Sequence, residues 1–566
     1  MAKTDATQAD PSATPSRARV DRAVFGTAAV LSCVFLVYGA LAGESFNKTG
    51  GEILSWITGH FNWLFVLASA GFVLFSAVLA FTRYGNIKLG PDDSKPEFST
   101  FSWVSMMFAT GMGIGLMFWG VAEPLTHLNT PPLGLAQPGT EAAAHLAMEY
   151  TFFHWGFHPW AMYAVIGLTI AYFAYRKGYG NLISGTLTPL IGDKARGPAG
   201  KTIDTVAILA TLFGSATSLG LGALQITGGL AHVFGIETGG NKWLAVAVIA
   251  FLTVCFVVSA VSGIDRGIQW LSNANAIAAG ALVLFLFVVG PTVFILGVFT
   301  ESLGGYLTHL PAMSFRTGAM GGGDWLAAWT IFYWAWWISW TPFVGMFIAR
   351  ISKGRTIRQF VVYVIAIPSL VSFVWFSILG GAAFDLQLNK GVDMPARLEA
   401  GVEAALFNTL SDFPLPTVTV SLAIFLVAIF FVTGADSASI VMGMLSQNGH
   451  EEPSRWLVVF WGVSTGAVAA VLLLSGKDPQ AGLTALQTGV IIVAAPFLLI
   501  LIAMCVSLWK SLRHEPFNAT LPPKMRRHME RDIEEVVTRI ADTGAIPIAK
   551  GERAQGVQDP SSGAKP

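Results

Sequence analysis

Apolar runs long enough to cross a bilayer recur along nearly the whole of this 566-residue chain. A helix crossing a ~30 Å hydrocarbon core needs ~20 such residues, and about twelve runs qualify. Lipid offers no partner to a backbone N–H or C=O, so only helices or closed barrels span it. Runs of this length select helices. The sequence therefore predicts an all-α polytopic membrane protein with spans near 22–43, 61–83, 101–121, 148–175, 203–233, 242–262, 274–300, 324–350, 357–381, 415–446, 455–475 and 482–511. Charge agrees: only 12% of residues are Asp, Glu, Lys or Arg, about half the share of a soluble domain. The net charge is zero, which points to no nucleic-acid partner.

Lysine and arginine set the expected orientation. Arg17, Arg19 and Arg22 precede the first span, and Arg83, Lys88 and Lys95 follow the second. Arg176, Lys177, Lys194, Arg196 and Lys201 follow the fourth, and Arg350, Lys353, Arg355 and Arg358 the eighth. The segment Val121 to Met148 has none. Basic connections alternate with poor ones, so both termini are expected in the cytoplasm of a cell-membrane protein. Residues 1–20 read as a disordered tail without a signal-peptide pattern. In the C-terminal part, 513–566, a cytoplasmic helix over "LPPKMRRHMERDIEEVVTRIADTG" carries an apolar stripe of Met525, Met529, Ile533, Val536 or Val537, and Ile540. Residues from about Gly551 look disordered. Cys33, Cys255 and Cys505 all fall in apolar runs and read as buried thiols, with no disulfide framework.

Two stretches carry the functional signal. "MMFATGMGIGLMFWG" puts Gly111, Gly113 and Gly115 at alternate positions inside a span, where each glycine weakens a helix by roughly 1 kcal/mol relative to alanine. A dinucleotide fingerprint fails, because the pattern is G-x-G-x-G and follows no strand. Helix packing through Gly111 and Gly115 and a discontinuous helix exposing backbone to a mid-membrane ligand both remain open on the glycines alone. The second stretch, "WTIFYWAWWISWTPFVGMF", places Trp336, Trp337 and Trp340 on one side of a helix, mid-span rather than at a membrane interface. "TFFHWGFHPWAMYAV" adds Trp155, Trp160 and Tyr163. Tryptophan faces held away from water suit a quaternary ammonium, at ~0.5–2 kcal/mol per cation–π contact, and need no carboxylate.

"ATGMGIGLMFWGVAEPL" and "YWAWWISWTPFVGMFIARISKGRTIR", with "FGSATSLGLGALQI" and "FFVTGADSAS", resemble the betaine/carnitine/choline transporter family. The resemblance implies twelve transmembrane helices: two peripheral ones (21–95) and a LeuT-like core of two inverted five-helix repeats (96–512), often assembled as a homotrimer among membrane lipids. It implies an aromatic box of Trp155, Trp160, Tyr163, Trp336, Trp337 and Trp340. The Gly111–Gly113–Gly115 stretch would break the third helix beside the box and offer N–H groups to a substrate carboxylate.

The resemblance also implies two sodium sites. One uses backbone carbonyls of Ala109, Met112 and Phe430 with the Thr433 hydroxyl. The next position is a serine in sodium-coupled relatives and Gly434 here, so one hydroxyl ligand is missing. The other uses Thr211 and Ser215 near Phe343. Among remaining polar residues, Glu123 and Pro124 read as the outer cap of the third span. His154 and His158 read as packed side chains with no third metal ligand, and Asp436 is an intramembrane carboxylate that either functions or pairs locally. No nucleophile–base or metal constellation appears, so no enzyme is expected, and no cofactor beyond coupling ions. The expected function is sodium-coupled import of a trimethylammonium compatible solute, foremost glycine betaine. The alternatives are proton coupling, ion-independent exchange of choline, carnitine, ectoine or proline, or an osmosensor with residual transport.

Overall fold

Helices dominate because each must satisfy its own backbone. The computed structural model describes residues 19–542 apart from 112, 236–241, 263–264, 400 and 522. Among them the only β pairing is an isolated antiparallel bridge, Lys88 with Thr356. The main helices are α1 (Arg22–Leu41), α2 (Gly43–Phe81), α3 (Thr100–Gly111), α4 (Ile114–Asn129), α5 (Glu141–Trp155), α6 (Phe157–Ala171), α7 (Pro198–Phe234) and α8 (Lys242–Ser262). They continue as α9 (Asp265–Val289), α10 (Thr292–Ser314), α11 (Phe332–Arg350), α12 (Ile357–Leu388), α13 (Pro416–Ser446), α14 (Arg455–Ser475), α15 (Pro479–Leu512) and α16 (Pro523–Asp542). Ten helical stretches among the described residues are long and apolar enough to cross a membrane.

The expected spans map onto these helices with four corrections. The third is split into α3 and α4. The fourth is split at Gly156, where a Cβ would lie 2.5 Å from the Phe152 carbonyl oxygen and 2.8 Å from the Phe373 ring. The span placed at 274–300 is two helices: α9 stops at Val289, and Gly290 and Pro291 separate it from α10. The second begins well before 61, because α2 runs from Gly43. Periodicity reads apolar content, whereas these breaks depend on single residues and on what packs against them. The thiols need a correction too: all three are free, and Cys33 is exposed, with Cys255 and Cys505 half-buried.

The buried centre is built from α6 against α11 and α7 against α13, with α4 lying against α5, α7 and α12. α1 packs on α7 and α14, and α2 on α6 and α15. At the start of α1, Asp21 caps the Ala23 and Val24 N–H groups and pairs with Lys201 at 3.0 Å. Partial burial opposes ionisation of Asp21, yet Lys201 and the two N–H groups hold its carboxyl below the usual range.

At the end bearing the basic connections, two loops lock together. Leu89 donates its N–H to the Arg355 carbonyl, Gly354 to Leu89 and Ile357 to Ile87. The Arg355 guanidinium stacks 4.5 Å from the Trp103 ring centroid and donates to the Phe98 carbonyl and the Thr100 hydroxyl. α16 belongs to a separate compact unit starting at Glu515. Its expected stripe exists, and Met525, Ile533, Val536 and Val537 are exposed.

The contact of α6 with α11 requires two small residues. A Cβ on Gly345 would sit 2.4 Å from Ile166 Cγ2 and 3.2 Å from the Gly167 nitrogen. Gly345→Val should destabilise the protein by roughly 1–3 kcal/mol, the usual size of an overpacking strain. A lower melting temperature of detergent-purified protein checks this.

Candidate functional site

α3 ends at Gly111 and α4 starts at Ile114, with Gly113 between them in extended conformation (φ −161°, ψ −163°). The helix is therefore interrupted within the glycine stretch. The first N–H groups of a helix have no partner within it, and α4 begins at the wall of a cavity of about 630 Å³. Gly113, Ser215, Ser218, Trp340, Phe343, Phe430, Thr433, Gly434 and Asp436 line this cavity, which reaches Asn181, Arg350 and Glu451 at the basic end. There Arg350 and Glu451 approach to 3.8 Å, and Asn181 donates to Glu451 at 3.2 Å.

Beside the helix break the expected aromatic residues meet. Trp155 lies edge-on to Trp337 with centroids 4.8 Å apart, and Trp336 stacks on Trp337 at 4.9 Å. Trp160 meets Tyr163 at 5.4 Å, and Tyr163 meets Trp337 at 6.3 Å. These five rings are buried, whereas Trp340 is half-buried and faces the cavity. Four indole N–H groups are spent on protein: Trp155 on Glu123, Trp336 on Ser218, Trp337 on the His154 carbonyl, and Trp340 on the Gly214 carbonyl. What remains for a ligand is ring face. The buried Tyr163 hydroxyl has no partner. Gly115 closes the cluster: a Cβ there would lie 2.8 Å from Trp336 Cη2 and 2.9 Å from Trp155 Cη2.

The ion-site candidates divide. Ser215 Oγ is buried without a hydrogen-bond partner, and Ser215 and Phe343 line the same cavity. Thr211 donates to the Ala207 carbonyl at 2.9 Å. Thr433 donates to the Ile429 carbonyl at 3.0 Å, while Phe430 and Gly434 beside it line the cavity. Ala109 lies in α3 and Met112 lies outside the described residues.

The sequence reading misplaced Glu123. It is no cap: it is fully buried within α4. Its Oε1 lies 2.7 Å from His154 Nδ1, and its Oε2 accepts from Trp155 Nε1 at 2.7 Å and from the Tyr333 hydroxyl at 2.5 Å. His154 Nε2 meets Thr330 Oγ1 at 3.0 Å. His127 Nε2 lies 3.4 Å from Glu123 Oε1. The third potential metal ligand beside His154 is thus Glu123, with His127, rather than His158. His158 instead stacks on Trp334 at 5.1 Å. The carboxylate is already occupied by donors, so the cluster is a hydrogen-bonded network. The one signal in the sequence was Glu123 and His127 four apart on a helix; the partners on α5 and α11 are long-range.

Comparison with known proteins follows the same line. The family described as "BCCT, betaine/carnitine/choline family transporter" matches residues 23–517. The chain is 46% identical over 495 residues to the glycine betaine transporter OpuD of Bacillus subtilis, covering 87% of this chain and 94% of that one. It is 46% identical over 486 residues to a probable glycine betaine transporter of Desulfitobacterium hafniense (86% and 96% covered). It is 42% identical over 504 residues to the betaine/ectoine transporter LcoP of Corynebacterium glutamicum (88% and 78% covered).

Two substitutions test this geometry without any ligand. Gly115→Val should displace Trp155 and Trp336, alter the near-UV circular dichroism and destabilise by ~1–3 kcal/mol. Ser215→Ala removes a hydroxyl that bonds nothing, so thermal stability should stay within about 0.5 kcal/mol of wild type.

Proposed function

Because this chain belongs to the betaine/carnitine/choline transporter family, and so is a multi-pass membrane transporter rather than an enzyme, we propose that it imports glycine betaine coupled to sodium. The observation that carries this reading is the juxtaposition of the aromatic cluster with the N-terminus of α4. Rings of Trp155, Trp160, Tyr163, Trp336 and Trp337 offer faces to a trimethylammonium group, each worth ~0.5–2 kcal/mol. The N–H groups of the first turn of α4 suit the carboxylate, as helix N-termini suit anions. Gly113 and Gly115 keep side chains out of the space between the two. Trp340 and Phe343 line the path from the cluster down the cavity.

Ser215 with Thr211 near Phe343, and Thr433 with the carbonyls of Phe430, Ala109 and Met112, are the groups that would hold sodium. A bound sodium supplies positive charge that the membrane potential drives inward. Betaine carries no net charge, so the potential alone cannot concentrate it. Each coupled cation adds ~2.3 kcal/mol per 100 mV, and two would support roughly 2,000-fold accumulation. In this reading the basic end faces the cytoplasm, both termini lie there, and substrate leaves past Arg350 and Glu451. The working unit is a homotrimer.

One observation favours a second reading. Gly434 lines the cavity where a serine hydroxyl would help bind sodium, and its absence suits proton coupling or ion-independent exchange, with ectoine or choline as further substrates. Uptake of labelled betaine into proteoliposomes under an imposed sodium gradient tests the two. Sodium-dependent uptake with weak sodium affinity is expected, tightened by Gly434→Ser and nearly abolished by Thr433→Ala. Trp337→Leu and Trp340→Leu should abolish uptake in folded protein. Uptake driven by protons without sodium, indifferent to Thr433→Ala, would overturn sodium coupling.

A further inference from the structure

The Glu123 network does more than fill space between α4, α5 and α11. Glu123 Oε2 accepts from two groups, one of them an indole N–H that can only donate. Oε1 takes the third contact, from His154. Three contacts on two oxygens, two of them from an indole N–H and a hydroxyl that donate, are the set that a carboxylate accepts. Among the described residues no lysine or arginine pairs with it. The nearest other ionisable side chain is His127, at 3.4 Å and with both ring nitrogens lacking hydrogen-bond partners. A fully buried carboxylate without a fixed cation is expensive, and such charges occur where a counter-ion arrives with a ligand.

Its position shows which ligand. The carboxylate grips the N–H edge of Trp155, whose ring packs against Trp337 at 4.8 Å. The same His154 that contacts Glu123 accepts the Trp337 N–H through its backbone carbonyl. A cation within ~6 Å of the Trp155 centroid lies on the order of 8 Å from the carboxylate. A negative acceptor at an indole N–H also pushes electron density onto the ring face, where the cation sits.

We propose that Glu123 is the buried counter-charge of the aromatic box, setting its preference for a quaternary ammonium over an uncharged group of the same shape. The inference rests on the reading that this box binds betaine. Glu123 touches no substrate in this account; it acts through Trp155 and through the field of its charge. Tyr333 and His154 hold the carboxylate in register.

The test compares glycine betaine with 3,3-dimethylbutyrate, in which carbon replaces the quaternary nitrogen and the carboxylate is kept. Binding to purified full-length protein is read from tryptophan fluorescence, the isostere by direct titration and by competition. Glu123→Gln keeps an acceptor for Trp155 and removes the charge. The ratio of betaine affinity to isostere affinity should fall about ten- to thirtyfold, the size expected of one unit charge ~8 Å away at an effective dielectric of ~20, because the nitrogen charge is all that separates the two ligands. Affinity for 3,3-dimethylbutyrate should change less than about twofold, or improve. Glu123→Asp, which keeps the charge, should hold the ratio of the two affinities near the wild-type value. An equal loss for both ligands would mean that Glu123 only supports the fold of the box, and no change in either would mean that its charge is not felt there. Either result overturns the proposal. Should Glu123→Gln fail to fold, Tyr333→Phe gives an independent reading. It removes one donor while keeping the ring, leaves more of the charge unsatisfied, and should raise the betaine-to-isostere ratio two- to threefold. An unchanged or lower ratio counts against the counter-charge. Wild-type protein that binds no betaine would refute the transport reading itself, whatever the variants do.

Discussion

The intolerance of hydrocarbon for unpaired backbone N–H and C=O groups governs this molecule. It forces nearly every described residue of the buried centre into helix, so departures from helix become the informative places. The principal one is the interruption between Gly111 and Ile114. Backbone polar groups are released there only because α4, α7, α11 and α13 enclose them beside a cavity, with Gly113, Ser215, Trp340 and Phe430 on its walls. The aromatic cluster sits against this interruption, and Gly115 permits the approach of Trp155 and Trp336. A cluster of aromatic rings and a helix N-terminus thus come together at one interruption of one helix.

Much of this was legible in the sequence. The apolar runs located the helices, because span length is set by the bilayer and not by tertiary context. The glycine spacing located the break, and the mid-span tryptophans located the cluster. The failures have two causes. The split at Gly156 depends on Phe373 from α12, and the role of Glu123 on side chains contributed by α5 and α11, partners that no window of sequence contains. The separation of α9 from α10 rests on Gly290 and Pro291, a helix-breaking pair inside the run whose apolar length outweighed it in the reading. Trp340 was grouped with its neighbours by helical spacing, yet it turns to the cavity while Trp336 and Trp337 are buried; a count of residues per turn does not distinguish wall from core.

The hydroxyls of the ion-site candidates show how much a hydrogen-bond inventory adds to a motif. Thr211, Ser215 and Thr433 look equivalent as letters. Two of them donate to carbonyls of their own helix, as threonines in membrane helices often do, whereas Ser215 Oγ has nothing to bond. A donating hydroxyl keeps lone pairs for a cation, so Thr211 and Thr433 remain competent.

The lock between the two basic loops has a consequence for biogenesis. Arg355 reaches the Phe98 carbonyl across 257 residues of chain, and the paired strand-like segments at Ile87–Leu89 and Gly354–Ile357 are separated by a similar length. At ~5–20 residues per second of synthesis, α3 waits on the order of ten seconds to a minute before the segment that secures its base exists. Through that interval the interrupted helix stands in the membrane without the contacts that secure its base. A nascent chain that has grown past Ile357 is the first species in which the base of the broken helix can be locked.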